Sequence, residues 1–405
     1  MSHVSASDPS APAAANHSKA LSWLWITFAI VTCAVNFGYA AKTHARYGTW
    51  PARLFDRDFI NYWIGGKLAV AGEHSLLFDP ARYYEYLKSL YGADYQIHAW
   101  SYPPTYLLFV WPLGFLDYLP AMVLFLAGSF ALYMFAAHVF MRRYAPDAHR
   151  GLTALAMVGF VITMVSATQN GFFMAALMLL ALSWMHTRPV LAAAALACLT
   201  VKPHLGILLG LVVLIDRNWR VLAWTALFAG LMVVLSGAIF GLDSWRAFFD
   251  TIVPYQGYVM TRWRGVFLYM MPSAFASVRA LRFSPDIATW VHVAVAVLSL
   301  PVIVWLLVKI RDSLERAFIL LAGTFVLTPY AFNYDMGALV VAAALVAQSP
   351  SLAASRNTAL LVAFAAVLPS ILRQLGHGGL PIGPIVLIAA LAAVARAAMP
   401  RPARS

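Results

Sequence analysis

Apolar runs of about twenty residues, separated by short polar breaks, constrain this chain more than any motif within it. Leu21–Ala41 is the first, and Pro120–Met141, Val221–Phe240 and Ile287–Val308 are among the longest. A helix needs about 20 apolar residues to cross the hydrocarbon core of a bilayer. Within that core every backbone amide must be satisfied internally, which leaves helices and closed barrels. The runs are continuous rather than alternating, so helices are expected. Charged residues make up 11% of the 405-residue chain, whereas a typical soluble domain carries about 25%. The expected fold class is therefore all-α: a polytopic membrane protein whose immediate partner is the lipid bilayer.

The formal charge of +12 sits largely in short loops between the apolar runs. These loops hold Arg142-Arg143 to Arg150, His186-Thr187-Arg188, Arg217 to Arg220, Lys309 to Arg316, Arg356, and Arg396 to Arg404. Such loops stay cytoplasmic. The charge thus reports topology, and nucleic acid is not an expected partner. The other apolar segments are Leu152–Thr168, Gly171–Met185, Val190–Val201, His204–Ile215, Ala317–Thr328, Asp335–Ala347, Thr358–Leu372 and Leu380–Met399. Tyr102–Leu116 is short and broken by Pro103, Pro104 and Pro112. Read as re-entrant or as part of a broken helix, it leaves twelve crossings with both termini inside.

Residues 1–18, rich in Ala, Ser and Pro, read as a disordered cytoplasmic tail. Residues 19–400 form one transmembrane domain, with a first outer loop over 42–101 and a second over 242–286. The first apolar run lacks a small-residue cleavage site and reads as a retained anchor. A plasma-membrane location, with the active site on the extracytoplasmic face, is expected. Cys33 and Cys198 lie in apolar segments and suggest neither a disulfide framework nor a metal cluster.

The first outer loop is the main polar interruption. Six of the sixteen acidic residues lie there: Asp56, Asp58, Glu73, Asp79, Glu85 and Asp94. Asp58–Ala71 and Pro80–Tyr91 mix apolar and polar faces with Tyr and Trp, as interfacial helices do. Asp56 and Asp58 fall at the membrane surface, where a carboxylate can deprotonate an incoming hydroxyl. Asp is equally a preferred helix N-cap.

Residues 190–215 must cross twice, so the Lys202-Pro203 turn is expected within the membrane profile, lining a cavity. Lys202 there either holds a phosphate, snorkels to the interface or pairs with a structural Asp. His204 lies two residues on. Gln169-Asn170-Gly171 and Asn333-Tyr334-Asp335 form two more outer turns. Their side chains either meet a sugar or satisfy loosened backbone, and Asp335 either meets substrate or caps the next helix. All of these turns converge on the outer face. Arg262, Arg264, Arg279 and Arg282 in the second outer loop run against the positive-inside trend, and an anionic ligand would explain them. No Walker A loop, His-Glu-x-x-His motif or nucleophile elbow is present. The cytoplasmic loops are too short for a nucleotide-sugar domain.

In order, the chain carries Asp58-Phe59-Ile60-Asn61-Tyr62-Trp63-Ile64-Gly65-Gly66, Leu77-Phe78-Asp79-Pro80, Tyr102-Pro103-Pro104 with Pro112-Leu113, Gln169-Asn170, Lys202-Pro203 and Tyr334-Asp335. With these pieces it resembles glycosyltransferase family 87, the polyprenol-phosphate-mannose-dependent mannosyltransferases of the GT-C fold. It departs from the pattern at Thr168, where the family often has Gly, and at His204. The resemblance implies transfer of a hexose, usually mannose, from a polyprenyl-phosphate donor to a glycolipid or glycan hydroxyl on the outer face, with inversion. It implies Asp58 as the general base. Lys202, Arg262 and Arg264 are expected to hold the donor phosphate. Asp56, Tyr62, Tyr102, Gln169, Asn170, His204, Tyr334 and Asp335 are expected to contact substrate. No cofactor and no metal are called for, since the leaving group is a monophosphate. A transporter of lipid-linked saccharides is the alternative; it should show internal repeats and mid-membrane ionisable pairs, and neither is evident.

Overall fold

The computed structural model describes residues 11–47, 58–95, 98–353 and 355–399. It is 82% helical, with no strand among the described residues. The principal helices begin with α1 (Ala11–Tyr47), α2 (Phe59–Val70), α3 (Pro80–Tyr91), α4 (Tyr118–Tyr144) and α5 (Arg150–Ala167). Next come α6 (Gly171–Trp184), α7 (Pro189–Leu199), α8 (Pro203–Ile215), α9 (Trp219–Phe240) and α10 (Val253–Arg262). The last are α11 (Pro285–Lys309), α12 (Leu314–Leu327), α13 (Gly337–Ala347), α14 (Arg356–His377) and α15 (Gly383–Ala398).

Each of the twelve expected apolar segments coincides with one of these helices. Among the described residues, six are long and apolar enough to cross a membrane: Ser18–Gly38 within α1, then α4, α5, α9, α11 and α14. The long helices turn large apolar side chains outward. Val123 and Phe135 on α4, Leu231 and Val234 on α9, and Trp290 and Leu298 on α11 are all exposed. Such a surface is a liability in water and none in hydrocarbon. By contrast, α6 and α13 are buried along most of their length and form the centre of the bundle.

Short helices position the site. α7 and α8 have 11 and 13 residues, or about 17 and 20 Å at 1.5 Å per residue, below the roughly 30 Å hydrocarbon core. The turn between them lines a cavity, as their lengths require. Tyr102–Leu116 forms a 3-10 turn (Pro104–Tyr106), one α-helical turn (Leu107–Val110) and a second 3-10 turn (Trp111–Phe115). Even at the 3-10 rise, the stretch from Pro104 to Phe115 reaches only about 24 Å, short of the hydrocarbon core as α7 and α8 are.

This broken stretch packs on α2 through two glycines. A Cβ at Gly66 would come 2.5 Å from the Val110 carbonyl oxygen, and one at Gly114 would overlap the backbone of Gly66. Gly66→Val is therefore expected to cost about 1–3 kcal/mol, as overpacking does. Thermal unfolding in detergent checks this; an unchanged midpoint would show that the contact is dispensable.

Two expectations need amendment. α1 starts at Ala11, inside the stretch read as a disordered tail. Ala11, Ala13, Ala14 and Ala15 are strong helix formers, and Pro12 is tolerated in a first turn. Residues 1–10 lie outside the described part. The basic loops also do more than mark topology. The Arg316 guanidinium donates to both Asp216 carboxylate oxygens, at 2.8 and 2.7 Å, and ties α12 to the end of α8.

Two apolar clusters result. The larger contains the helical bundle, and the smaller gathers α2, Trp100, Tyr102 and the Leu107–Leu113 stretch. The candidate site lies at the seam between them.

Candidate active site

A cavity of about 450 Å³ opens at this seam. Tyr62, Tyr102 and Val201 line it from the smaller cluster, and Phe332 and Tyr334 from the larger. Two carboxyl side chains and one amine line it: Asp58, Asp335 and Lys202.

Asp58 occupies the N-cap position of α2, but its side chain makes no capping bond. Gln169 Nε2 instead donates to Asp58 Oδ2 at 2.7 Å. The other end of the Gln169 amide is fixed as well, because Oε1 accepts from the Tyr62 hydroxyl. Tyr62 in turn meets the Tyr102 hydroxyl at 2.8 Å. Asn170 Nδ2 donates to Tyr106 at 3.1 Å and to Tyr102 at 3.4 Å. Burial above all holds the Tyr62 and Tyr102 hydroxyls well above the usual phenol range, so they remain protonated. Asp58 is thus oriented by a chain of neutral amide and phenol groups.

Local backbone geometry brings these groups together. Thr168 ends α5 in the left-handed region at φ 52°, a conformation a β-branched residue rarely adopts. Its hydroxyl accepts from the Phe59 amide at 3.4 Å, tying the end of α5 to the start of α2. Gly171, three residues on, lies against the Tyr334 carbonyl, where a Cβ would overlap it. That close approach joins the 168–171 turn to the 333–335 turn.

Lys202 precedes α8 and is 8% exposed. Its Nζ donates to Asp335 Oδ1 at 2.7 Å, and Asp335 Oδ2 accepts from the Phe332 amide at 3.0 Å. The ammonium also lies 5.0 Å from the Tyr334 ring centroid and 5.9 Å from that of Tyr102, within cation–π range. Asp335 therefore does not cap α13; it closes its own 3-10 turn and neutralises Lys202. Asn333 Nδ2 donates to the Pro369 carbonyl at 2.8 Å and anchors that turn to α14.

The candidate residues named from the sequence divide clearly. Asp58, Tyr62, Tyr102 and Gln169 share the cavity with Lys202, His204, Tyr334 and Asp335. Asn170 is fully buried behind them and supports two tyrosines. Arg262 and Arg264 are exposed near the end of α10 and do not line the cavity. Asp56 lies outside the described residues. The sequence reading missed Asn61, Ser101, Gln256, Tyr330 and the Trp245–Phe249 aromatic group, all of which line it. A signal was present for Gln256: it is the polar residue of an inward stripe whose other members, Ile252 and Val259, are buried.

The cavity thus places a side chain oriented by an amide, Asp58, and a buried lysine in one helical bundle. Residues 100–329, more than half of the chain, match the model of glycosyltransferase family 87, a GT-C type family. The chain belongs to that family and is a membrane glycosyltransferase. Searches of curated proteins and of solved structures gave no match.

Proposed function

We propose that the protein transfers a hexose, mannose by the family resemblance, from a polyprenyl-phosphate donor to a hydroxyl of a glycolipid or glycan. The reaction takes place on the extracytoplasmic face of the plasma membrane. The observation that carries this reading is the sharing of one cavity by Asp58, oriented through Gln169, and Lys202. The acceptor oxygen attacks the anomeric carbon while its proton passes to the Asp58 carboxylate. The bond from that carbon to the phosphate oxygen breaks, and the electron pair leaves with the polyprenyl phosphate. Attack and departure on opposite sides invert the anomeric centre. Lys202 would meet the negative charge that grows on the phosphate, as a fixed cation in a water-poor site can. Arg262 and Arg264 lie outside the cavity, and this reading gives them no role in the step.

The test is transfer of labelled mannose from polyprenyl-phosphate-mannose by the purified protein in lipid nanodiscs. Failure with this donor and with its glucose, galactose and arabinose counterparts would sink the reading. Gln169→Leu removes both amide bonds with little change in volume. A hydrogen bond to a charged group is worth about 1.5–3 kcal/mol, so a roughly 10–100-fold loss of kcat is expected. An unchanged kcat would mean that Asp58 needs no orientation.

A further inference from the structure

The transfer step leaves one wall of the cavity unused, and that wall carries an unsatisfied polar atom. Gln256 Nε2 donates to Ser101 Oγ at 2.9 Å, while Gln256 Oε1 is buried with no hydrogen-bond partner. Reversing the amide would only exchange which atom is left over. Leaving a buried acceptor unmet costs about 1–3 kcal/mol, and such groups are rare enough to require a reason. Packing does not supply one. The neighbours of Gln256 at helical spacing, Ile252 of the π-helical turn before α10 and Val259 of α10, are buried apolar residues, so packing there does not call for a glutamine.

The surroundings suggest the missing partner. Tyr330 lines the cavity together with Ser101, and its hydroxyl stays protonated because burial, and then the Asp335 carboxylate, hold it well above the usual phenol range. Trp245 and Phe248 line the same cavity with ring centroids 6.1 Å apart. They belong to a helical segment that passes through a π-helical turn at Phe248–Ile252. Turns of that kind are frequent at functional sites. A pyranose has an apolar C–H face and a rim of hydroxyls that both donate and accept. Aromatic rings beside an amide oxygen, a serine and a tyrosine match both surfaces.

We infer that Gln256, held by Ser101, is a specificity-determining residue that accepts a hydrogen bond from a hydroxyl of a hexopyranose bound in the cavity. This rests on the proposed transferase reading. The sugar is either that of the donor or that of the acceptor, and the experiment separates the two.

The probes are polyprenyl-phosphate-mannose, octyl α-D-mannopyranoside as acceptor, and the monodeoxy analogues of each. Wild type and Gln256→Leu are compared in nanodiscs. One deoxy analogue should be used roughly tenfold or more less efficiently than its parent by wild type, and about as well as its parent by the variant, because the same bond is missing either way. A donor analogue would assign the bond to the donor sugar, and an acceptor analogue to the acceptor. Equal discrimination by wild type and variant across both series overturns the inference. Melting-temperature shifts with octyl mannoside and the intact donor are read alongside, since they need no turnover. If wild type fails to transfer, the function reading fails on its own. The inference then stands only if either sugar stabilises wild type more than Gln256→Leu, and falls otherwise.

Discussion

Asp58→Asn is expected to lower the rate of glycosyl transfer by about 10²–10⁴-fold, the usual worth of a positioned general base. The substitution keeps size and shape. An asparagine can still present an oxygen to Gln169 Nε2, so the bond that now holds Asp58 at 2.7 Å can persist. The amide oxygen cannot take the proton of an attacking hydroxyl. Folding should therefore be unaffected, and donor affinity should be retained because Lys202 is untouched. Single-turnover transfer, measured beside donor binding, checks both halves. Turnover within a few-fold of wild type would remove Asp58 from the chemistry and leave it as a partner of Gln169 alone. Weakened donor binding with an intact chemical rate would point instead to a role in ground-state recognition.

Lys202→Ala should do two kinds of damage, which a second variant separates. The lysine is paired with Asp335, whose carboxylate is fully buried. Removing one member of such a pair typically costs about 3–5 kcal/mol, because the other charge is left without compensation. Loss of activity in the single variant is thus ambiguous. In Lys202→Met with Asp335→Asn, both charges are gone, and the asparagine oxygen can still accept from the Phe332 amide. This double variant is expected to recover most of the lost stability and to remain at least about 10²-fold impaired in transfer, the scale of losing one electrostatic contact to a developing charge. A stable double variant with normal transfer would make the pair purely structural and remove the phosphate role from Lys202.

The positions of the helices were legible because the bilayer leaves little choice. A run such as Trp219–Phe240 has one stable solution in hydrocarbon, and periodicity hardly enters. Most of the site was legible for a related reason. Asp58, Lys202 and Asp335 are ionisable residues beside apolar segments, where each is costly enough to stand out. What those residues do was less readable. Helix capping was a sound reading for both aspartates, yet neither caps the helix that follows it. Asp58 turns to Gln169, 111 residues away in sequence, and Asp335 to Lys202, 133 residues away. Arg262 and Arg264 were conspicuous by charge and are simply exposed. Gln256 and Tyr330 were inconspicuous, since a glutamine or tyrosine in an outer loop needs no explanation until its surroundings are known.

By itself the sequence determined that this chain is a helical membrane protein, where its apolar helices lie, and which polar turns hold the candidate site residues. Those outcomes follow from local composition, because the cost of polar groups in lipid is incurred residue by residue. Tertiary structure alone decided which turns meet. The glycine contacts at Gly66 and Gly171, and the left-handed Thr168, set backbone approaches that no single segment encodes. They bring Asp58, Gln169, Lys202 and Gln256 around one cavity. Hydrogen-bond partnership depends on distances of a few tenths of an ångström between segments far apart in the chain, and only the packed bundle fixes those distances.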